Sequence, residues 1–119
     1  MKSYGLESEM TGMFEERDRG YEAKWAHDEE KHFKILARRN ELLGRWAAGV
    51  LGLAGTAAEN YAQDVVKAGL TGKGADPVFE KIKTDLAAHK FPYTDHSIHR
   101  MMEELFHAAS NEWSKREKP

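Results

Sequence analysis

Apolar positions in this chain recur at three- and four-residue spacing, and no stretch sustains a two-residue alternation. That pattern predicts helices and no sheet. The first helical stretch runs from about Thr11 to Gly52, and with prolines only at 77, 92 and 119 no proline interrupts it. Gly49, Gly52 and Gly55 mark its end. Thr56-Ala57-Ala58-Glu59 has capping-box spacing, with Thr56 as N-cap and Glu59 reaching back. The helix it opens carries Tyr61, Ala62, Val65 and Val66 and stops at Gly69. After a glycine loop over 69–74, Asp76-Pro77 starts a third helix, Asp as N-cap and Pro at the first helical position. Its apolar face is Phe79, Ile82 and Leu86. Phe91-Pro92-Tyr93 reads as a turn, and Thr94 or Asp95 caps a fourth helix reaching about Lys115, lined by Ile98, Met102, Leu105, Ala109 and Trp113. The predicted class is all-α: one domain, a four-helix bundle with one long N-terminal helix.

The predicted lengths do not match. A first helix of about 40 residues is roughly 60 Å long, and three shorter helices cannot cover it, so one end is expected to overhang. At about 100° per residue, Phe14, Tyr21, Trp25, Leu36, Leu43, Ala47 and Val50 fall within about 40° of one line. From residue 33 onward Phe33, Ile35, Leu42, Trp46 and Leu51 flank that line on both sides, the wide arc of a helix wrapped by neighbours. Before residue 26 only Phe14, Tyr21 and Trp25 remain, among Glu15, Glu16, Arg17, Asp18, Arg19, Glu22 and Lys24. Such a narrow seam suits one partner surface, or is simply an amphipathic helix end. Gly20 sits inside this stretch and costs a helix about 1 kcal/mol relative to Ala. Residues 1–20 are therefore expected to form a mobile N-terminal arm and residues 21–119 the bundle, with Leu43, Trp46 and Trp113 in its core.

Composition narrows the function classes. The 119 residues carry 18 Lys and Arg against 20 Asp and Glu, a formal net charge of -2. Nine basic and eleven acidic groups lie in residues 1–60, and nine of each in 61–119. Neither half has the basic skew of a nucleic-acid arm or a membrane-binding patch. Cysteine is absent, which removes disulfides, thiolate metal sites and cysteine nucleophiles. No apolar run approaches the roughly 18–20 residues of a membrane span, and Met1-Lys-Ser-Tyr-Gly has no apolar core of a secretory signal. A soluble intracellular protein is expected.

Catalytic chemistry finds little footing. Glu-x-x-His occurs at Glu29/His32 and Glu104/His107, the spacing of dinuclear-metal bundles, with Glu59 and Glu80 as the remaining carboxylates. Helical phase places Glu104 and His107 about 120–180° from the apolar face of the fourth helix, and Glu59 is assigned to its cap, so no metal is expected. His27, His89, His96 and His99 read as surface groups. The glycine loop with Lys73 lacks the Walker spacing and a preceding strand. No activated nucleophile is visible, and no enzyme is expected. Ala37-Arg38-Arg39-Asn40 is different, because Arg39 lies near the apolar line. It calls for an internal salt bridge or a snorkelling side chain, or else for a phosphate or carboxylate bound by Arg38 or Arg39 beside Asn40.

Phe14-Glu-Glu-Arg-Asp-Arg-Gly-Tyr-Glu-Ala-Lys-Trp-Ala-His-Asp-Glu-Glu30, Phe33-Lys34 and Ala37-Arg-Arg-Asn-Glu-Leu-Leu-Gly-Arg-Trp-Ala-Ala48 together resemble the zeta subunit of the alphaproteobacterial F-type ATP synthase, its ATPase inhibitor. The resemblance spans residues 13–117 and is densest from Phe14 to Ala48. It implies a four-helix bundle whose N-terminal arm folds into a helix between the catalytic head and the rotor subunits and so blocks ATP hydrolysis. Carried over by position, the arm's contacts are Met13, Phe14, Glu15, Glu16, Arg17, Arg19, Tyr21, Lys24 and Trp25. The resemblance further implies weak purine-nucleotide binding, ATP or ADP, placed on Arg38, Arg39 and Asn40, with no other cofactor. Such a protein is cytoplasmic, peripheral to the membrane-bound synthase, monomeric when free, and without nucleic-acid or direct membrane contacts. The chain departs from the family in about nine residues ahead of Met10, a terminal addition of the kind chains tolerate, and in Gly20. A stand-alone helical nucleotide sensor, with no effect on a motor, is the alternative.

Overall fold

A computed structural model describes the backbone of residues 11–71 and 76–117 and the side chains of residues 27–71 and 76–117. Its elements are α1 (Thr11–Val50), α2 (Gly55–Gly69), α3 (Pro77–Ala88) and α4 (Asp95–Glu117), all helices. The all-α class and the four helices agree with the reading of the pattern. Residues 1–10, 72–75 and 118–119 lie outside the described backbone, among them half of the expected arm and most of the glycine loop.

The chain divides into two compact units, residues 1–33 and 34–119. In the first, α1 starts at Thr11 and runs unbroken through Gly20. Side chains become describable at His27, and Phe33 is 56% exposed. The expected wrapping of Phe33 is therefore corrected: buried positions begin at Ile35. Phe33 falls on the outer edge of the apolar arc, about 60° from Leu36.

In the second unit the four helical segments close a ring of contacts. Residues 34–50 of α1 meet α2 where a Cβ added to Gly44 would stand 2.6 Å from the Ala62 Cα. The Tyr61 hydroxyl on α2 donates to Asp85 Oδ2 on α3 at 2.7 Å, and Lys81 donates to the same oxygen at 3.1 Å. Burial pushes the Tyr61 hydroxyl above its ordinary value, and the bond to Asp85 adds to the rise. From α3, Phe79 stacks on His99 of α4 with ring centres 4.0 Å apart, and Lys83 pairs with Asp95. Arg38 of α1 pairs with Glu112 of α4. The core is Leu43, Ala47, Val65, Val78, Phe79, Ile82, Leu86, Ile98 and Met102. Leu43 is completely buried, as its phase requires. Trp46 is only half-buried against that core, and Trp113 is half-buried on α4. Their ring width carries them past the buried stripe; Trp46 ends edge-on to the exposed Tyr93, with centres 5.2 Å apart.

Local chemistry explains the helix ends. α1 closes in a Schellman motif: Gly52 takes φ +80, its N–H donates to the Gly49 carbonyl, and the Leu53 N–H donates to Ala48. α3 closes the same way, with Lys90 at φ 63 in the position usually given to glycine, and with the Phe91 N–H on the Leu86 carbonyl. Asp76 caps α3 through the Phe79 N–H at 3.3 Å, with Pro77 next, as read from the sequence. Thr94, not Asp95, caps α4, exchanging bonds with Ser97 in both directions. The Thr56/Glu59 box does not form. α2 begins two residues earlier, at Gly55 with φ +59, and its N-cap, Ala54 in place of Thr56, has no side-chain bond to give. Glu59 instead accepts from Arg45 of α1 at 3.4 Å.

Candidate functional site

Two sets of residues were singled out by the sequence, and they stand differently in the structure. Met13, Phe14, Glu15, Glu16, Arg17, Arg19, Tyr21, Lys24 and Trp25 all belong to α1, but their side chains lie outside the described residues. Arg38, Arg39 and Asn40 are fully described, and consecutive residues on a helix point in directions about 100° apart.

Arg38 faces α4. Its Nε donates to Glu112 Oε1 at 2.8 Å and its Nη2 to Glu112 Oε2 at 3.3 Å, a forked pair, while Nη1 reaches Glu41 at 3.0 Å. The bond to Glu112, then that to Glu41, hold the guanidinium above its ordinary pKa. Glu112 is held below the usual carboxylate range, first by the Arg38 bond and then by the charges of Arg38, Arg116 and Lys115. The internal salt bridge expected near Arg39 is thus made by Arg38.

Arg39 turns the other way. Its Nε and Nη2 donate to Asn40 Oδ1 at 3.0 and 2.8 Å, and among the described residues it has no carboxylate within ion-pair distance. Burial lowers its pKa, against the pull of Asp76 at the start of α3. Asn40 is 5% exposed, a buried amide rather than an open ligand. Gly69 makes its room, since a Cβ there would run into Asn40 Nδ2. The three residues therefore form two sites: an α1–α4 ion pair and a guanidinium–amide pair near the α2–α3 junction.

An open groove lies beside the first of these. Lys34, Ile35, Ala37 and Arg38 of α1 and Ala109, Glu112, Trp113 and Arg116 of α4 line a cavity of about 340 Å³. The Lys34 ammonium sits 5.9 Å above the Trp113 ring. The Trp113 Nε1–H is buried without an acceptor. The sequence reading placed Trp113 in the core and so missed it as a groove wall. The signal available was the cationic spacing of Lys34 and Arg38 opposite Arg116, read only in part.

Metal chemistry has no cluster to use: no group of three or more His, Asp or Glu side chains converges among the described residues. Glu104 is exposed and pairs with Arg100 at 3.4 Å, and His107 is exposed beside Phe106. Nor is any described helix long and apolar enough to cross a membrane.

No curated protein matches the chain. The family model described as ATPase inhibitor subunit zeta matches residues 10–112, a span that takes in the N-terminal part of α1 and the four-helix unit alike, and the chain belongs to that family.

Proposed function

We propose that this regulatory protein inhibits ATP hydrolysis by the F-type ATP synthase, its N-terminal arm folding as a helix into the interface of the catalytic head and the rotor and blocking rotation. The observation that carries the reading is the family match, which begins at residue 10 and so includes the whole seam of Phe14, Tyr21 and Trp25. Consistent with it, that seam is narrow and flanked by charges, the pattern of a helix laid into one groove. The arm's anchors are Phe14, Tyr21 and Trp25, and Glu15, Glu16, Arg17, Arg19 and Lys24 set register at the rim. The protein carries no catalytic step itself. It acts as a cytoplasmic monomer that attaches peripherally to the membrane-bound synthase.

The test is to add the purified protein to the matching synthase and follow hydrolysis and synthesis separately. Hydrolysis should fall, and a chain lacking residues 1–20 should leave it untouched while keeping its fold. Full inhibition by the truncated chain would move the inhibitory contact into the bundle.

Nucleotide binding is a separate proposal, and Arg39 is its best support. A half-buried guanidinium that pairs with no carboxylate among the described residues is a ready partner for a phosphate. Arg38, already forked onto Glu112, contributes less. Titration with ATP or ADP should shift the Arg39 Nε resonance; unchanged Arg39 signals would leave the chain without this site.

A further inference from the structure

Phe33 is an aromatic residue left in the open. It is 56% exposed, more than any other described Phe, Tyr or Trp, while burial in α1 begins at Ile35. The stretch of helix around it is bare: residues 27–30 and 32–34 are exposed and Lys31 is half-buried. A single exposed apolar side chain is ordinary, so its surroundings decide what it means. At about 100° per residue along α1, Glu29 and Glu30 lie within about 60° of Phe33. In the sequence, Ala26 and Glu22 fall within about 20° of the same line. No lysine or arginine between residues 22 and 33 shares that face. The phenyl ring thus ends an acidic strip, and the helix that carries it is unbroken from Thr11 to Val50. Phe33 stands about 12 Å along that helix from Trp25 and about 80° around it.

We propose that Phe33 is a further anchor of the inhibitor, seated in an apolar recess with a basic border on the outer rim of the synthase's catalytic head. The proposal rests on the reading of residues 13–25 as the inhibitory arm, and it extends that interface by about two helical turns. A site that takes a single helix, about 10–12 Å across with its side chains, does not admit a four-helix unit. The residues that join the arm to that unit therefore lie at the mouth of the site, and on α1 those are residues 26–33. Among them Phe33 alone is large and apolar. The 80° turn from Trp25 puts it against the wall of the mouth rather than on the floor of the groove. A ring that is exposed in the free chain and enclosed in the complex has the character of a hot-spot residue. Glu29 and Glu30 beside it select the basic border and speed the encounter.

The experiment compares variants of the full-length chain as inhibitors of ATP hydrolysis by the matching synthase, with the Phe14→Ala, Tyr21→Ala double variant as the arm control. Phe33→Ala should raise the concentration for half-inhibition at least fivefold with the thermal midpoint unchanged, and Phe33→Leu should keep most of the potency. Inserting one alanine after Ala26 turns Phe33 by about 100° relative to the arm and replaces no side chain. That insertion should cost as much as Phe33→Ala, and in a Phe33→Ala background it should cost nothing more. Glu29→Lys should slow the onset of inhibition at low salt; an onset unchanged or faster would overturn the basic border. Photocrosslinking from Phe33→p-benzoylphenylalanine should join the chain to a subunit of the catalytic head. Crosslinks to the rotor or to a second copy of this chain instead would overturn the proposal, as would a lowered thermal midpoint in Phe33→Ala, which assigns the ring to the bundle. If Phe33→Ala inhibits normally while the arm control has lost inhibition, this proposal fails and the inhibitor reading stands. If the unaltered chain does not inhibit at all, both fail.

Discussion

Residues 34–50 of α1 meet α2 and α4 along two seams built on different chemistry. Against α2 the contact is made by small residues: Gly44 is buried, Ala62 is fully so, and the two backbones come close enough that one added methyl has no place. Against α4 the same helix is held at a distance by a forked ion pair and by the width of Trp113, and a cavity remains between them. Close backbone approach lets many dispersion contacts accumulate in a dry environment. A half-exposed ion pair in water gains little. The first seam is where the bundle gets its stability, and the second leaves chemistry available at its surface.

The largest effect that sharpens this contrast should come from Leu43→Ala. Leu43 is 0% exposed at the centre of the core, so the change removes buried methyls and leaves a cavity costing about 2–5 kcal/mol in chemical denaturation. A loss under about 0.5 kcal/mol would place Leu43 outside the core.

Next is a matched pair of small-to-large changes, one per seam. Gly44→Ala puts a Cβ 2.6 Å from the Ala62 Cα, a backbone atom that cannot rotate away. The helices must separate, and overpacking should outweigh the roughly 1 kcal/mol helix-propensity gain, for a net loss of about 1–2 kcal/mol. Ala37→Leu, facing the cavity on the other seam, should change stability by less than about 0.5 kcal/mol. Equal costs at the two positions would erase the distinction between the seams.

A third change touches neither seam. Phe14 and Tyr21 precede the four-helix unit in sequence, so replacing both with Ala should leave the thermal midpoint nearly unchanged. If they anchor the arm in the synthase, the concentration for half-inhibition should rise at least tenfold, about 1.4 kcal/mol. Unfolding of the double mutant would assign those rings to the bundle. Normal inhibition by a folded double mutant would favour the sensor reading.

These contrasts also show what the sequence made legible. Helical periodicity found all four elements because α2, α3 and α4 each present an uninterrupted apolar stripe, from Ala62 and Val65 through Ile82 and Leu86 to Ile98 and Met102. Asp76-Pro77 was readable because the cap uses only neighbours in sequence. Thr56/Glu59 misled because Arg45, fourteen residues away from Glu59, offers that carboxylate a partner across the α1–α2 turn, which no local motif reveals. The site was half legible for the same reason. A charged residue near an apolar line announces that a partner is needed, but which of Arg38 and Arg39 finds Glu112, seventy-four residues away from Arg38, is decided by how α4 docks. Asn40 escaped as a core residue because its burial depends on the missing side chain at Gly69.

The smallest effect lies in the ion pair of the open seam, and pH isolates it. Glu112 has a folded-state pKa below its ordinary value, chiefly through the Arg38 bond, so the folded state binds its proton less readily than the unfolded chain does. The stabilisation is therefore present above the unfolded carboxylate value, about 4.3, and is lost as pH falls through the lower folded value. Its side chain is 41% exposed and that of Arg38 is 34% exposed, so water screening keeps the contribution below about 1 kcal/mol. Glu112→Gln should lower the thermal midpoint slightly at pH 7, and the difference from the unaltered protein should close only as pH falls through the lowered folded-state value, where Glu112 is protonated too. Added salt should shrink the pH 7 difference, because an exposed pair is screened while the Gly44–Ala62 contact is not. A midpoint difference that stays constant from pH 7 until the carboxylates are fully protonated would mean that Glu112 acts by filling space, and that the α4 seam is packed after all.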